Sequence, residues 1–298
     1  MSAQGLTARN AHHDHLRRRK SVNKSMEVLA WIAALIAMAI LGIVVYDVGR
    51  RGWSELNLNL ITKQPIPFSF TNAPQGLSNA FAGTLVIVAI ATIMALPVGI
   101  LVAIYLNEFA PPPIRNGVGL AIDVLAGVPA IVIGIFVYGL LVVGGGGQSG
   151  LKGSFALAIL MLPFVARTTM EVLSLVPNSL REASLGLGIP QWRTTLSIVL
   201  PRAIGGILTG TVLAVARVAG ETAPLLFTSS LVGSQTSWNP THALQSVPLA
   251  IFELSESPDP KDHARAWAAA FILLLFILFA SLTARWLATR SVRKITGR

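Results

Sequence analysis

The chain has 298 residues, of which 53% are hydrophobic and 12% are charged. Soluble domains carry about twice that share of charged residues, and a chain of this length cannot bury so much apolar surface, so the composition excludes an ordinary soluble protein and indicates a membrane protein. The net charge of +10 does not indicate a nucleic-acid-binding protein, because Lys and Arg cluster before the first apolar run and after the last, as in cytoplasmic flanks.

The apolar runs begin after a polar, basic segment, residues 1–25, which we expect to be a solvated cytoplasmic tail. Residues 26–75 contain the first run, which is long enough to cross a membrane and lacks a cleavage site, and then an outer loop. Further runs of spanning length recur within residues 76–290, at 79–105, 119–143, 154–176, 203–228 and 264–288. Residues 291–298 form a second basic tail. The predicted fold is all-α, a polytopic bundle of about six transmembrane helices.

The charges between the runs predict the orientation of the bundle. With both termini in the cytoplasm, loops 106–118 and 177–202 also lie inside, and both contain arginine. The last outer loop, residues 229–263, is acidic by contrast. Prolines within the runs, such as Pro129, permit kinks and are tolerated where neighbouring helices satisfy the freed backbone groups, so a packed bundle is expected.

The loop between the fourth and fifth runs, residues 177–202, has strong local signals. Ser179 followed by Glu182 fits a capping box that would start a short helix. Gly188 can take the left-handed conformation that ends a helix, and Pro190 suits the first turn of the next. Two short helices joined by a sharp turn are predicted at the cytoplasmic surface, and docking is the use that such an element suggests.

This loop resembles the EAA motif of ABC-importer permeases, EAA-x3-G-x9-I-x-LP. The residues at the motif positions are Glu182, Ala183, Ser184, Gly188, Ile198, Leu200 and Pro201. The resemblance implies a type I ABC-importer permease architecture, in which the loop forms a coupling helix seated in a groove of a separate ATPase. Apolar neighbours would then supply much of the contact, namely Leu185, Leu187, Ile189 and Trp192.

Nucleotide chemistry is not expected in this chain. The sequence contains no Walker A pattern, so any ATP and Mg²⁺ would be bound by the partner ATPase. The absence of cysteine excludes thiolate metal sites and cysteine nucleophiles, and no His and Asp constellation indicates an intramembrane enzyme. The predicted protein is a non-catalytic transport subunit without a bound cofactor or metal.

Two pairs of opposite charges lie within the predicted spans. Arg167 and Glu171 are four residues apart in the fourth span, as are Arg217 and Glu221 in the fifth, so each pair is expected on one helix face. Each pair is either an internal salt bridge that lets its helix insert, or part of a pathway for an oxyanion, which guanidinium binds through a bidentate fork. Asp123 is expected to pack or hydrogen-bond near the cytoplasmic end of the third span.

Several stretches resemble the PstA-type permeases of phosphate importers, including RTTMEVLSLVPNSLREASLGLG, ARVAGETAPLLFT and residues 83–110 and 125–139. The resemblance spans about residues 76–290. It implies a bacterial inner-membrane location and a role in phosphate passage for the four residues of the charge pairs. It also implies four kinds of partner, namely a homologous PstC-like permease, a PstB-like ATPase dimer, a PstS-like extracytoplasmic phosphate-binding protein and membrane lipid.

Two alternatives remain open from the residues alone. A permease for another oxyanion, such as sulfate or molybdate, would use the same arginine chemistry. A secondary transporter or channel would work without an ATPase and usually contains internal repeats, which the sequence does not display.

Overall fold

The computed structural model describes residues 3–66, 75–230 and 235–296. The regular secondary structure within these ranges is entirely helical. The helices are α1 (Ala3–Gly52), α2 (Leu58–Thr62), α3 (Ser78–Ile104), α4 (Pro112–Gly127), α5 (Ala130–Val137), α6 (Gly150–Ser174), α7 (Asn178–Gly186), α8 (Gln191–Thr194), α9 (Leu200–Ala219), α10 (Ala223–Thr228), α11 (Val247–Ser255) and α12 (Pro260–Thr296). A 3-10 turn (Trp53–Glu55) and three π-helical turns (Tyr105–Phe109, Tyr138–Val142, Thr195–Val199) complete the described elements.

The chain divides into two compact units, Met1–Arg50 and Arg51–Arg298. The first unit is helical from Ala3, so the segment expected to be a tail continues the same helix as the first apolar run. From Met26 onward, this helix exposes many large apolar side chains, with Trp31 and Ile43 as examples. A helix that is apolar all round suits a surrounding of lipid or of other membrane helices.

Five helical stretches are long and apolar enough to cross a membrane, which agrees with five of the six predicted spans. They are Val22–Glu55, Ser78–Phe109, Gly150–Ser174, Gln191–Ala219 and Pro260–Thr283. The remaining predicted span, residues 119–143, is not one straight helix. It is a pair, Pro112–Gly127 and Ala130–Val142, bent by 95°. Pro129 is at the bend, in the N-cap position of α5, and its lack of an amide hydrogen removes a helical hydrogen bond there.

The core of the second unit lies where α3, α6 and α9 pack together. Ile87 on α3, Met161 on α6 and Val218 on α9 belong to the same buried cluster. Small residues allow the close approach of α9 to α6. A Cβ atom added to Gly206 would lie 2.5 Å from a methyl group of Val172, so a larger side chain there would separate the helices.

The fifth span differs from the prediction at both ends. It begins at Gln191, because α8, the π-helical turn and α9 form one continuous helical stretch to Ala219. It ends at Ala219 and not at Thr228. Gly220 is the C-cap of α9, and Pro224 lies in the first turn of the separate α10, a position that proline favours. The predicted second short helix of the 177–202 loop is therefore the start of a span.

Candidate functional site

The first charged cluster joins α4 to α6. Arg167 of α6 lies with its Nη1 3.4 Å from Oδ1 of Asp123 on α4, and with its Nε 3.5 Å from Oε1 of Glu171 one turn along α6. All three side chains are at least half exposed. The predicted pairing of Arg167 with Glu171 is confirmed, and Asp123 is a second partner that bridges two helices.

Arg217 has a different environment in the last turn of α9. Its guanidinium carbon lies 5.7 Å from the ring centroid of Phe164 on α6, in a cation–π contact. Within the described ranges, no carboxylate forms an ion pair with Arg217. The side chain is exposed and the helix C-terminus beside it carries partial negative charge, which favours a cation there.

Glu221 does not share a helix face with Arg217. The predicted i,i+4 relation is wrong, because α9 ends at Ala219 and Glu221 lies in the break before α10. The amide of Glu221 still donates to the carbonyl of Val218, so the residue remains next to the end of α9. Among the residues that the structure describes, no cluster of three or more His, Asp or Glu side chains could hold a metal ion.

Arg217 of α9 and Arg167 of α6 lie at different heights along the axis of α6. Phe164, which contacts Arg217, precedes Arg167 by three residues, and such residues lie on the same side of a helix one turn apart. Because a helix rises 1.5 Å per residue, Phe164 and Arg167 differ by about 5 Å along the axis of α6. Arg167 is the nearer of the two to the 177–202 loop, and Arg217 lies at the height of Phe164. The guanidinium of Arg217, which belongs to α9, therefore lies beside the turn of α6 that precedes Arg167.

The 177–202 loop contains the predicted sharp turn. Gly188 has φ of +75°, in the left-handed region that glycine adopts without strain, and α7 and α8 flank it. The predicted capping box is wrong. Helix α7 begins at Asn178, with Pro177 in the N-cap position and no side-chain cap, so Ser179 already lies inside the helix.

The motif residues of this loop divide into buried and exposed positions. Ser184 is buried and its hydroxyl lies 2.7 Å from that of Thr194, which joins α7 to α8. Glu182 and Ala183 are exposed, Ile189 and Leu200 are half-buried, and Pro201 is exposed. Large apolar side chains also face outward around the turn, namely Leu185, Leu187 and Trp192. The loop thus combines a fixed internal geometry with an apolar outer surface.

A second ion pair connects α7 to the end of α3. Arg181 of α7 donates from Nη2 to Oε1 of Glu108 at 2.7 Å and from Nε to Oε2 at 3.1 Å, which is a bidentate arrangement. Glu108 lies in the π-helical turn after α3, and its side chain is 3% exposed. This pair is the most buried ion pair that the structure describes.

The pairing of Glu108 with Arg181 was not predicted from the sequence, although the position of Glu108 gives a partial indication of it. Glu108 follows a long apolar run, and a carboxylate at that position requires a cation if it is buried. The local sequence does not say which cation, since Arg181 is 73 residues away. Only the packing of α7 against the end of α3 identifies the partner.

Comparison with known proteins identifies relatives of nearly the whole chain. Residues 95–293 match the family described as binding-protein-dependent transport system inner membrane component. The chain is 38% identical to the phosphate transport system permease protein PstA of Pasteurella multocida, over 91% of this chain and 96% of that protein. It is 39% identical to the protein of the same name in Haemophilus influenzae, over 90% of this chain and 94% of that one.

Solved structures of ABC-transporter chains have the same fold. A chain of the inward-facing methionine transporter MetNI superposes with a TM-score of 0.56 at 15% identity, covering 72% of this chain and 94% of that chain. A chain of a bacterial alginate ABC transporter, in complex with a pentasaccharide-bound periplasmic protein, has a TM-score of 0.56 at 15% identity and covers 87% of this chain and 95% of that chain.

Proposed function

Because the chain belongs to the family of binding-protein-dependent transport system inner membrane components, we propose that it is the permease subunit that forms half of the pathway of an ATP-driven phosphate importer. The observation that carries the proposal is the identity of 38% to 39% with phosphate permeases over at least 90% of the chain. The guanidinium groups of Arg217 and Arg167, at two heights beside α6, would bind the phosphate anion.

Arg217 is the first anion-binding residue in this proposal. It offers an exposed guanidinium that the Phe164 ring orients, without a carboxylate partner among the described residues. Phosphate carries between one and two negative charges near neutral pH, and the planar guanidinium fork matches its oxygens in a bidentate arrangement. Glu221, at the end of α9, would oppose the anion and limit how long it stays.

Arg167 is the next anion-binding residue, one turn further along α6. Its distances of 3.4 and 3.5 Å to Asp123 and Glu171 are longer than the 2.7–2.9 Å typical of a strong charge-assisted hydrogen bond. A phosphate oxygen can therefore replace a carboxylate without breaking a tight pair. The two carboxylates then favour release of the anion, and conduction requires release as much as entry.

The 177–202 loop is the proposed contact with a separate ATPase. Glu182, Ala183, Ser184, Gly188, Ile189, Leu200 and Pro201 form this element. Its exposed apolar surface around the Gly188 turn would insert into the partner, with Trp192 and Leu187 as large contributors. Helix α8 continues into α9 and ends beside Arg217. A push on the loop would therefore move the arginine through one continuous helical stretch.

The proposed assembly contains three other kinds of subunit. A PstC-like second permease would complete the pathway, a PstB-like ATPase dimer would bind ATP and Mg²⁺, and a PstS-like protein would deliver phosphate from outside. The chain itself would bind no cofactor. Both termini would be cytoplasmic, which places the 177–202 loop on the ATPase side.

Uptake of labelled phosphate into vesicles that contain the reconstituted complex tests this function. We expect uptake to require ATP and to be competed by arsenate more than by sulfate. Competition by sulfate or molybdate alone would indicate a permease for another oxyanion, and uptake without the ATPase would indicate a secondary transporter. Arg217→Ala should lower uptake at least about tenfold, since charged hydrogen bonds contribute about 1.5–3 kcal/mol. Arg115→Ala, at an exposed position on α4, is the matched control.

A further inference from the structure

Arg181 is a junction between three elements at one end of the bundle. Besides its two bonds to Glu108, it donates from Nη2 to the carbonyl of Leu173 at 3.0 Å and from Nη1 to the carbonyl of Val176 at 2.6 Å. Nη1 also lies 3.2 Å from Oδ1 of Asn178, at the start of α7. One guanidinium thus joins the end of α3, the end of α6 and the first turn of α7.

The position of Glu108 depends on a local departure from α-helical geometry. The π-helical turn Tyr105–Phe109 ends α3, and such turns change the direction in which the following side chains point. Asn107 donates to Oε1 of Glu108 at 2.8 Å, and Gln191 of α8 donates to the Glu108 backbone carbonyl. Glu108 therefore contacts both helices of the 177–202 loop.

The burial of this junction prevents exchange of its partners. The Glu108 side chain is 3% exposed and that of Arg181 is 18% exposed, so separating them would leave buried charges without compensation. An ion pair of this kind moves as a unit with the elements that it joins. The exposed Arg167 cluster lacks this property.

We propose that Arg181 and Glu108 transmit movement of the 177–202 loop to α3 and hold the loop to the end of α6, in addition to the covalent connections of the loop to α6 and α9. Arg181 is in this sense a positioning residue for transport. The chain itself connects the loop to α6, which carries Arg167, and to α9, which carries Arg217. The Arg181–Glu108 pair adds α3, which no short segment of the chain joins to the loop. Both anion-binding levels would then move in one step when the ATPase moves the loop. This inference rests on the proposed function of the chain in ATP-driven phosphate import.

The test measures phosphate transported per ATP hydrolysed in the reconstituted complex. Glu108→Gln keeps the shape of the side chain and removes its charge, so we expect the complex to assemble and to hydrolyse ATP. The ratio of phosphate to ATP should fall at least about fivefold, the lower end of usual coupling energies between sites. Glu256→Gln, at an exposed carboxylate elsewhere in the chain, is the matched control and should keep the wild-type ratio.

A reversible crosslink separates transmission from simple structural support. The chain has no cysteine, so Glu108→Cys together with Arg181→Cys introduces the only two thiols of this chain. We expect the reduced double variant to have a low phosphate-to-ATP ratio and a bifunctional methanethiosulfonate reagent to restore it, with loss again on reduction. Each single cysteine variant, treated with the same reagent, shows the effect of modification without a bridge.

Two results would overturn the inference while leaving the proposed function intact. One is a wild-type ratio in Glu108→Gln and in the reduced double variant. The other is a low ratio that the crosslink, demonstrated by mass spectrometry, does not raise. If the wild-type complex transports no phosphate in the presence of ATP, the proposed function itself is contradicted. That result comes from phosphate uptake by the wild type and not from the phosphate-to-ATP ratio of the variants.

Discussion

The two arginine clusters, Asp123–Arg167–Glu171 and Glu108–Arg181, use the same residue types in opposite ways. In the first, Arg167 is 50% exposed and its carboxylate distances are 3.4 and 3.5 Å. In the second, Arg181 is 18% exposed, Glu108 is 3% exposed, and the shortest distance is 2.7 Å. An exposed, loosely paired arginine can exchange a carboxylate for a ligand, whereas a buried bidentate pair cannot.

This difference suggests how a permease separates substrate binding from mechanical connection. Charges that must contact a passing anion remain accessible and incompletely satisfied. Charges that must hold helices together are buried and have all their donors occupied, as the five donor contacts of Arg181 illustrate. Exposure and geometry, more than residue type, therefore distinguish the two roles.

The largest expected effect comes from removing one partner of the buried pair. Glu108→Ala leaves Arg181 without its carboxylate and should lower the free energy of unfolding by about 3–5 kcal/mol. Thermal unfolding of the purified chain in detergent measures this change. Glu171→Ala, in the exposed cluster, is the matched variant and should cost less than about 1 kcal/mol. Equal losses in the two variants would contradict the contrast between the clusters.

Arg167→Ala should show the reverse pattern, with a large effect on uptake and a small one on stability. Loss of the guanidinium fork removes a charged hydrogen-bond donor, so kcat/KM for phosphate uptake should fall between about tenfold and a hundredfold. Initial rates over a range of phosphate concentrations provide the measurement. Arg167→Lys retains the charge without the fork and should recover part of the loss. Full recovery by lysine would show that charge alone is sufficient.

Neutralising the carboxylates of the exposed cluster should have a smaller effect and of a different kind. With Asp123→Asn and Glu171→Gln combined, Arg167 no longer has competing anions, so phosphate should bind more tightly and leave more slowly. KM and kcat should both fall, by about two- to fivefold if the two exposed pairs together contribute about 0.4–1 kcal/mol. A rise in KM would instead indicate that the carboxylates position the guanidinium for binding.

Much of the bundle could be predicted from sequence because hydropathy reports directly on contact with lipid. The runs of spanning length and the Gly188 turn depend on local composition and local backbone preference. Five of the six predicted runs are confirmed as spanning helical stretches, and the Gly188 turn is confirmed. A kink at Pro129 was expected, but its angle of 95° was not, because hydropathy records how apolar a segment is and not its direction. The end of α9 at Ala219 was missed for the same reason.

The partners of the charged residues depend on tertiary packing and could not be predicted in full. The i,i+4 spacing identified Glu171 for Arg167, since that relation is local. Asp123 pairs with Arg167, and Glu108 pairs with Arg181. In each pair the arginine lies on another helix, 44 residues (167 − 123) and 73 residues (181 − 108) away along the chain. Sequence spacing alone holds no information on such contacts.

Glu253, on α11 and outside the spanning helices, is a partly buried carboxyl without an arginine partner among the described ion pairs. It is less exposed than Glu171. Burial raises the pKa of its carboxyl above the ordinary 4.5, a hydrogen bond from Gln245 opposes the rise, and repulsion from Asp262 adds to it. Because the folded-state pKa is raised, the group's contribution to stability is fully present below pH 4.5 and is lost as pH increases through the folded pKa. Glu253→Gln imitates the protonated form, so it should unfold at a slightly higher temperature than wild type at pH 7.5. Thermal unfolding at a series of pH values should show this gap closing toward pH 4.5. A gap that widens on acidification would contradict a raised pKa for Glu253.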